Sequence, residues 1–342
     1  RAGLKPAAPA DKTSLLRRAT YDLTGLPPTP AEIDAFLADD SRGAFEKVVD
    51  RLLKSPHYGE KWGRHWLDLV RYAESNSYER DGTKPHVWRY RDYVIRSFND
   101  DKPYDRFATE QLAGDELDEV TKDSLIATGY YRLGIWQDEP VDREQSRFED
   151  LDDILRTTSE VFLGLTVGCA RCHDHKLDPI PQKDYYRLLA FFRNIRRYGV
   201  RGGNTVEAAS VMTVATAEEQ ARNRSLVEKH KAELAVVMKQ LSKLNASYKK
   251  LLEGGEVDDW KREQNRVPIL KKKVPGKLSK QDFESYEKLT AKRDQMRRYR
   301  PPGLDKALVV KELGAVPPQS FIQIRGNAHA RGDKVDPGFP LV

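Results

Sequence analysis

The chain has 342 residues, enough for one large domain or two ordinary ones. Hydrophobic residues make up 39% and charged residues 33%, with a formal net charge of +6, so a fillable core is wrapped in a large solvated surface. No run of about eighteen apolar residues occurs, so no membrane-spanning helix is encoded. The modest basic excess sits beside acidic neighbours without interleaved aromatic rings, which argues against nucleic acid as a partner.

The chain opens at Arg1 with neither Met nor an apolar leader, so a targeting signal is expected upstream in a longer protein. Thr29-Pro30-Ala31-Glu32 is a capping box with Pro at the first helical position, and Gly25 ends the element before it. Phe45, Val48, Val49, Leu52 and Leu53 recur at helical spacing, and Ser55-Pro56 starts the next helix. That helix is expected to bury Trp62, Trp66, Leu69 and Ala73, with His65, Asp68 and Tyr72 on an adjoining face. Trp88 to Phe98 reads as another helix, and Tyr104 to Leu112 as a shorter one closed by Gly114.

Phe148, Leu151, Leu155, Thr158, Phe162 and Leu165 alternate spacings of three and four, which predicts one long helix leading into the cysteines. After them Pro179 and Pro181 break the chain, and Tyr185, Leu188, Leu189 and Phe192 predict a further amphipathic helix. Val227, His230, Leu234, Val237, Leu241, Leu244, Tyr248 and Leu251 occupy heptad positions. After Gly254-Gly255 and a Lys-rich connector, Phe283, Tyr286, Leu289 and Met296 mark a return helix. Phe321-Ile322-Gln323-Ile324 alternates like a strand and is expected to pair with sequence beyond this chain.

The expected fold is mainly α: a multi-helix domain with a projecting antiparallel, coiled-coil-like helical hairpin and little strand. Residues 1–200 are expected to form the helical domain, 201–305 the hairpin insertion, and 306–342 the start of a further, truncated domain.

The chain has two cysteines, three positions apart, which is no disulfide framework. Cys169-Ala170-Arg171-Cys172-His173 matches C-x-x-C-H, the attachment pattern of c-type haem. Two thiols about one helical turn apart match the two vinyl groups of one porphyrin, and the next residue sends its imidazole to the iron. A thioredoxin-like pair needs a strand before it, whereas a helix is expected here. Zinc on Cys169, Cys172, His173 and His175 is a second reading, strained by adjacent ligands. A Cys169–Cys172 disulfide in an oxidising compartment is a third.

The run Gly168-Cys169-Ala170-Arg171-Cys172-His173-Asp174-His175-Lys176-Leu177-Asp178-Pro179-Ile180 resembles a planctomycete-specific cytochrome c-like family, formally a domain of unknown function. Asp22-Leu23-Thr24-Gly25-Leu26-Pro27-Pro28-Thr29, His65-Trp66-Leu67-Asp68 with Arg71-Tyr72, Trp88-Arg89-Tyr90-Arg91-Asp92 and Glu110-Gln111-Leu112-Ala113-Gly114-Asp115 carry the same resemblance. It implies a large secreted or periplasmic protein, often with a small cytochrome c-like module upstream and another family-specific domain downstream. Arg325-Gly326-Asn327 and Pro337-Gly338-Phe339 resemble the start of that downstream domain.

The expected function is a redox domain with one covalent haem c, passing electrons to a partner protein or an adjacent cytochrome domain of the same polypeptide. Cys169 and Cys172 would hold the porphyrin, with His173 and His65 as the iron ligands. Asp174, His175 and Asp178 are expected to fix the motif loop, with a carboxylate orienting the His173 ring. Two other readings stand beside this one. In the first, His65, Asp68, Arg71, Arg89, Asp92, Asp115, Asp152 and Asp153 line a cleft for a metal-dependent or acid–base hydrolase, or for a glycan. In the second, the chain is a scaffolding module whose hairpin meets the partner and whose cysteines form a disulfide.

Overall fold

Capping chemistry sets the first helices. In the computed structural model, which describes residues 8–199 and 205–340, α1 (Lys12–Thr24) starts where the Asp11 carboxylate accepts the Ser14 N–H. It stops at Gly25, whose φ of 71° is left-handed. α2 (Pro30–Ala38) opens on the capping box read in the sequence: Thr29 and Glu32 each accept the other's backbone N–H. With α3 (Ala44–Leu53), these helices enclose Leu16, Phe36, Val48 and Leu52.

α4 (Pro56–Leu69) begins on Ser55 and lies against α5 (Trp88–Asn99). Its buried stripe is Gly59, Gly63, Trp66 and Val70, while Trp62 and Leu69 are exposed and Ala73 lies past its end. The sequence reading placed Trp66 correctly but missed the glycines beside it, because it followed bulk. A Cβ on Gly59 would stand 2.3 Å from the Ile95 carbonyl oxygen, so the glycines admit α5 this closely.

α6 (Tyr104–Ala113), α7 (Lys122–Ala127) and a tight turn over Thr128–Arg132 complete the first core, an aromatic one with Trp66, Tyr90, Tyr93, Phe107 and Tyr130. α8 (Arg143–Thr158) does not run on to Leu165 as its periodicity predicts. It widens into a π-turn over Ser159–Leu163 and ends on Gly164 at φ 65°. Phe148, Leu151 and Leu155 form a second core with Tyr185, Tyr186, Leu188 and Leu189 of α9 (Gln182–Ala190). α10 (Val206–Ser210) and β1 (Val211–Thr213) follow.

The chain divides into two units, Arg1–Val214 with Lys306–Val342, and Ala215–Asp305. The inserted unit therefore begins at Ala215 rather than near 201, because Val211 and Val214 are buried in the aromatic core of the first. α11 (Ala217–Tyr248) starts on a Thr216–Glu219 capping box and runs antiparallel to α14 (Lys280–Arg298). Tyr286 Oη donates to Asn245 Oδ1 at 2.7 Å, while Arg297 lies beside Met238. Val237, Leu241 and Tyr248 of the heptad row are buried, whereas Val227, His230 and Leu234 are half-buried. The connector is not merely polar: α12 (Glu256–Asp259) and α13 (Glu263–Lys271) bring Trp260, Ile269 and Leu270 into the hairpin's own core.

The last segment joins the first unit and does not open a separate one. β2 (Lys306–Leu308) pairs antiparallel with β1, Val211 facing Leu308. β3 (Ser320–Gln323) pairs with β4 (Arg331–Val335) of the same chain, not with sequence beyond it. Ala328 and Val335 enter the second core, so burial ties this hairpin to α9. Among the described residues strand is confined to these two small pairs, and no helix is long and apolar enough to cross a membrane.

Candidate functional site

The cysteine motif forms one 3₁₀ turn, Gly168–Arg171, in which the Cys172 N–H donates to the Cys169 carbonyl at 3.3 Å. The turn points Ala170 into the second core and leaves Cys169 and Cys172 exposed and not bonded to each other. Its other sides are fixed. The Arg171 guanidinium donates to Asp152 Oδ2 at 3.2 Å, and Tyr185 Oη donates to Asp152 Oδ1 at 2.5 Å. The Arg171 carbonyl accepts from Tyr186 Oη at 2.8 Å and from Gln182 Nε2 at 2.9 Å. Gly326 closes the remaining side: a Cβ there would lie 2.9 Å from Cys172 Sγ.

The residues after the motif fold into a loop knit by its own polar groups. His173 Nδ1 is 2.7 Å from the Asp174 carbonyl oxygen. A carbonyl only accepts, so Nδ1 is the donor, and in the neutral ring of this exposed side chain Nε2 is the nitrogen left to bind. The orienting partner is thus a backbone carbonyl and not the expected carboxylate. The Asp174 carboxylate instead accepts the Gln182 N–H at 2.8 Å, at the start of α9. His175 Nδ1 accepts the Asp178 N–H at 2.8 Å, and the His175 N–H donates to the Ile180 carbonyl at 2.9 Å. The same Nδ1 lies 3.2 Å from the Asp178 carboxylate, so Asp178 meets it through both backbone and side chain. Among the described residues no three His, Cys, Asp or Glu side chains gather as they would around a metal ion.

His65 is exposed on α4, with its ring edge-on to Trp62 at 5.5 Å between centroids. No hydrogen bond, ion pair or ring contact among the described residues joins it to the motif. The other polar candidates do not share one cleft. Asp68 is exposed on α4. Arg89 lies over the Trp88 ring at 4.5 Å, and Asp92 pairs with Arg91 at 3.0 Å. Asp115 lines an apolar cavity of about 480 Å³ with Phe162, Phe191 and Phe192, and burial raises its pKa. The motif is not part of that cavity's lining. Arg71, held at φ 60°, does meet Asp153, at 2.8 Å. Asp152 faces away to Arg171, so neighbouring carboxylates on α8 serve different sites.

Sequence reasoning passed over several buried cations. Lys84 is 4% exposed, and its ammonium donates to the Leu133 and Gly134 carbonyls at 2.8 and 2.6 Å. Burial, with Arg71 adding to it, pushes its pKa down to about 8. Arg132 is 3% exposed and donates to the Val309 and Arg196 carbonyls at 2.9 and 2.7 Å. The available signal was a guanidinium set among bulky apolar neighbours, Tyr130-Tyr131-Arg132-Leu133.

A family profile, PSCyt2, described as a protein of unknown function (DUF1549), matches residues 1–197. No curated protein and no solved structure matches the chain. The profile spans more than half of the sequence, from α1 through the cysteine turn and α9, and on that ground the chain belongs to the PSCyt2 family.

Proposed function

We propose that this chain is an extracytoplasmic c-type haem domain that relays electrons within a larger polypeptide. Cys169 and Cys172 hold one porphyrin through thioether bonds, and His173 ligates its iron through Nε2. The observation that carries this reading is the pairing of two exposed, unbonded thiols in one turn with an adjacent imidazole already held in the ligating tautomer. The surroundings suit an exposed porphyrin edge. Leu177 is 85% exposed beside the motif, and Ile324, two residues from the Gly326 that touches Cys172, is 53% exposed.

Bound haem supplies reversible one-electron chemistry at a potential set by ligands and surroundings. The chain's own residues supply position. Asp152, Tyr185, Tyr186 and Gln182 hold the Arg171 turn, and the Asp174 carbonyl aims the His173 ring. The expected acceptor of the electron is a redox partner or a neighbouring cytochrome domain in a periplasmic or secreted setting. His65 is left out of this assignment, because it stands against Trp62.

The test is intact mass spectrometry of protein produced with haem-attachment machinery, after acid–acetone extraction of loose haem. One added haem per chain is expected, lost in the Cys169→Ala/Cys172→Ala double variant. Protein that emerges haem-free with both thiols titratable would overturn the proposal.

A further inference from the structure

Away from the cysteine turn, the first unit holds a small cavity of about 40 Å³ whose lining includes Arg132, Trp136, Arg147, Asp150, Arg197 and Tyr198. Three polar atoms of this lining are buried without a hydrogen-bond partner: Arg132 Nη2, Trp136 Nε1 and Tyr198 Oη. Arg132 and Tyr198 are 3% and 8% exposed, and the Trp136 and Tyr198 rings meet edge-on at 5.1 Å. A guanidinium nitrogen and an indole nitrogen only donate, and a phenol donates as readily as it accepts, so the set calls for an acceptor.

Charge points the same way. Asp150 is taken by Arg197 at 2.7 Å, and Asp153 by Arg71 at 2.8 Å. Arg132 and Arg147 are bonded to backbone carbonyls and are not ion-paired among the described residues. Burial works against both charges, lowering both pKa values, yet a guanidinium keeps its proton at any working pH. Asp150 offsets both charges only in part, because its carboxylate is bonded to Arg197, and buried cations left under-compensated in this way cost several kcal/mol. The space is larger than one water needs and too small for a nucleotide or a sugar ring.

We infer that this cavity binds one small monovalent anion, a halide or the carboxylate end of a larger molecule, between Arg132, Trp136 and Tyr198. The anion accepts the three free donors and neutralises the Arg132–Arg147 pair. It thereby holds the segment around Arg132 to that around Tyr198, where the Arg196 carbonyl already accepts from Arg132. The site draws on no residue of the cysteine turn, and its fate does not depend on haem.

Thermal unfolding of the full chain tests it, at fixed ionic strength in the sodium salt of a bulky sulfonate, with chloride, bromide or acetate replacing the sulfonate. The midpoint should rise saturably with at least one of these anions, as expected for a ligand that binds only the folded state. Halides acting alone, or acetate acting alone, identifies which source the site accepts. Trp136→Phe and Tyr198→Phe should each raise the half-saturating concentration about tenfold, the loss of one charge-assisted hydrogen bond. Trp88→Phe, on the exposed start of α5, should leave it unchanged. Equal midpoints in all four salts, as a cavity holding only water gives, would overturn the inference. So would saturation in both variants at the wild-type concentration.

Discussion

Arg171, between the two cysteines, is held by Asp152 of α8 at 3.2 Å, and Tyr185 of α9 completes that carboxylate at 2.5 Å. This contact ties the motif to the second core. Their side chains are 20% and 13% exposed, so the pair is largely screened from water. Removing one partner leaves a charge and a phenol unsatisfied. Asp152→Ala should lower unfolding free energy by about 2–3 kcal/mol in urea titrations. Asp152→Asn, which still accepts from Tyr185, should lose less. A loss under about 0.5 kcal/mol for the alanine variant would mean that the pair does not hold the turn.

Gly326 should tolerate no side chain. Its φ is 72°, and an added Cβ would meet Cys172 Sγ at 2.9 Å and Arg171 Cγ at 3.3 Å. Gly326→Ala is expected to cost about 1–3 kcal/mol. It should also change the alkylation rate of Cys172 more than that of Cys169. Identical rates for both thiols in variant and wild type would count against this packing.

The thiols themselves carry little of the fold. Both sulfurs are exposed, and neither residue belongs to the second core, which takes Val167 and Ala170 from the same segment. Cys169→Ala and Cys172→Ala, compared with wild type in haem-free protein, should each lie within about 0.5 kcal/mol in stability. A larger loss would give the cysteines a structural role.

Lys84 makes stability pH-dependent in the alkaline range. Its pKa falls from 10.5 to about 8 on burial, while the unfolded chain keeps the ordinary value. Between these values the unfolded state holds the proton and the folded state does not, so stability rises with pH across this window. Below about 8 the lysine is charged in both states, and the burial cost is felt in full. Wild type measured against Lys84→Met should gain up to ~3 kcal/mol between the two ends of the window. A difference that stays flat there would show that the ammonium is solvated.

Excision of the inserted unit should leave the rest folded. Thr213 and Lys306 are paired partners in the β1–β2 ladder, so the chain leaves and returns at neighbouring positions. Replacing residues 215–305 by Asn-Gly leaves a short loop of the kind that closes antiparallel strands. The shortened chain should keep a cooperative unfolding transition and the near-ultraviolet signal of its aromatic core. A molten far-ultraviolet-only signature would show that the inserted unit is needed.

Two helix starts were legible from their caps, while others, such as Asp11 before α1 and the Thr216–Glu219 box before α11, were passed over. Thr29 with Glu32, and Ser55 before Pro56, open helices as read, because a cap is local chemistry. The cysteine turn was equally plain, since two sulfurs and an imidazole within five residues need no tertiary context. The buried face of α4 was legible only at Trp66. Its contact with α5 depends on Gly59 and Gly63, whose small size carries no hydrophobic signal. Nor was the cavity behind Arg132, assembled from Trp136, Arg147 and Tyr198, positions that share no period. The strand at 320–323 was recognised, but its partner at 331–335 is polar and mostly exposed, with little alternation to betray it.

The β1–β2 pair also bears on the order of folding. Joining Thr213 to Lys306 in an otherwise unfolded chain closes a loop of roughly ninety residues, entropically dearer than a ten-residue loop by roughly 2 kcal/mol. If α11 and α14 zip together first, most of that chain is already immobilised, and the two ends return as near neighbours. Mutations that weaken the hairpin's own core, such as Leu270→Ala, should therefore slow the closing of a strand pair to which Leu270 does not belong.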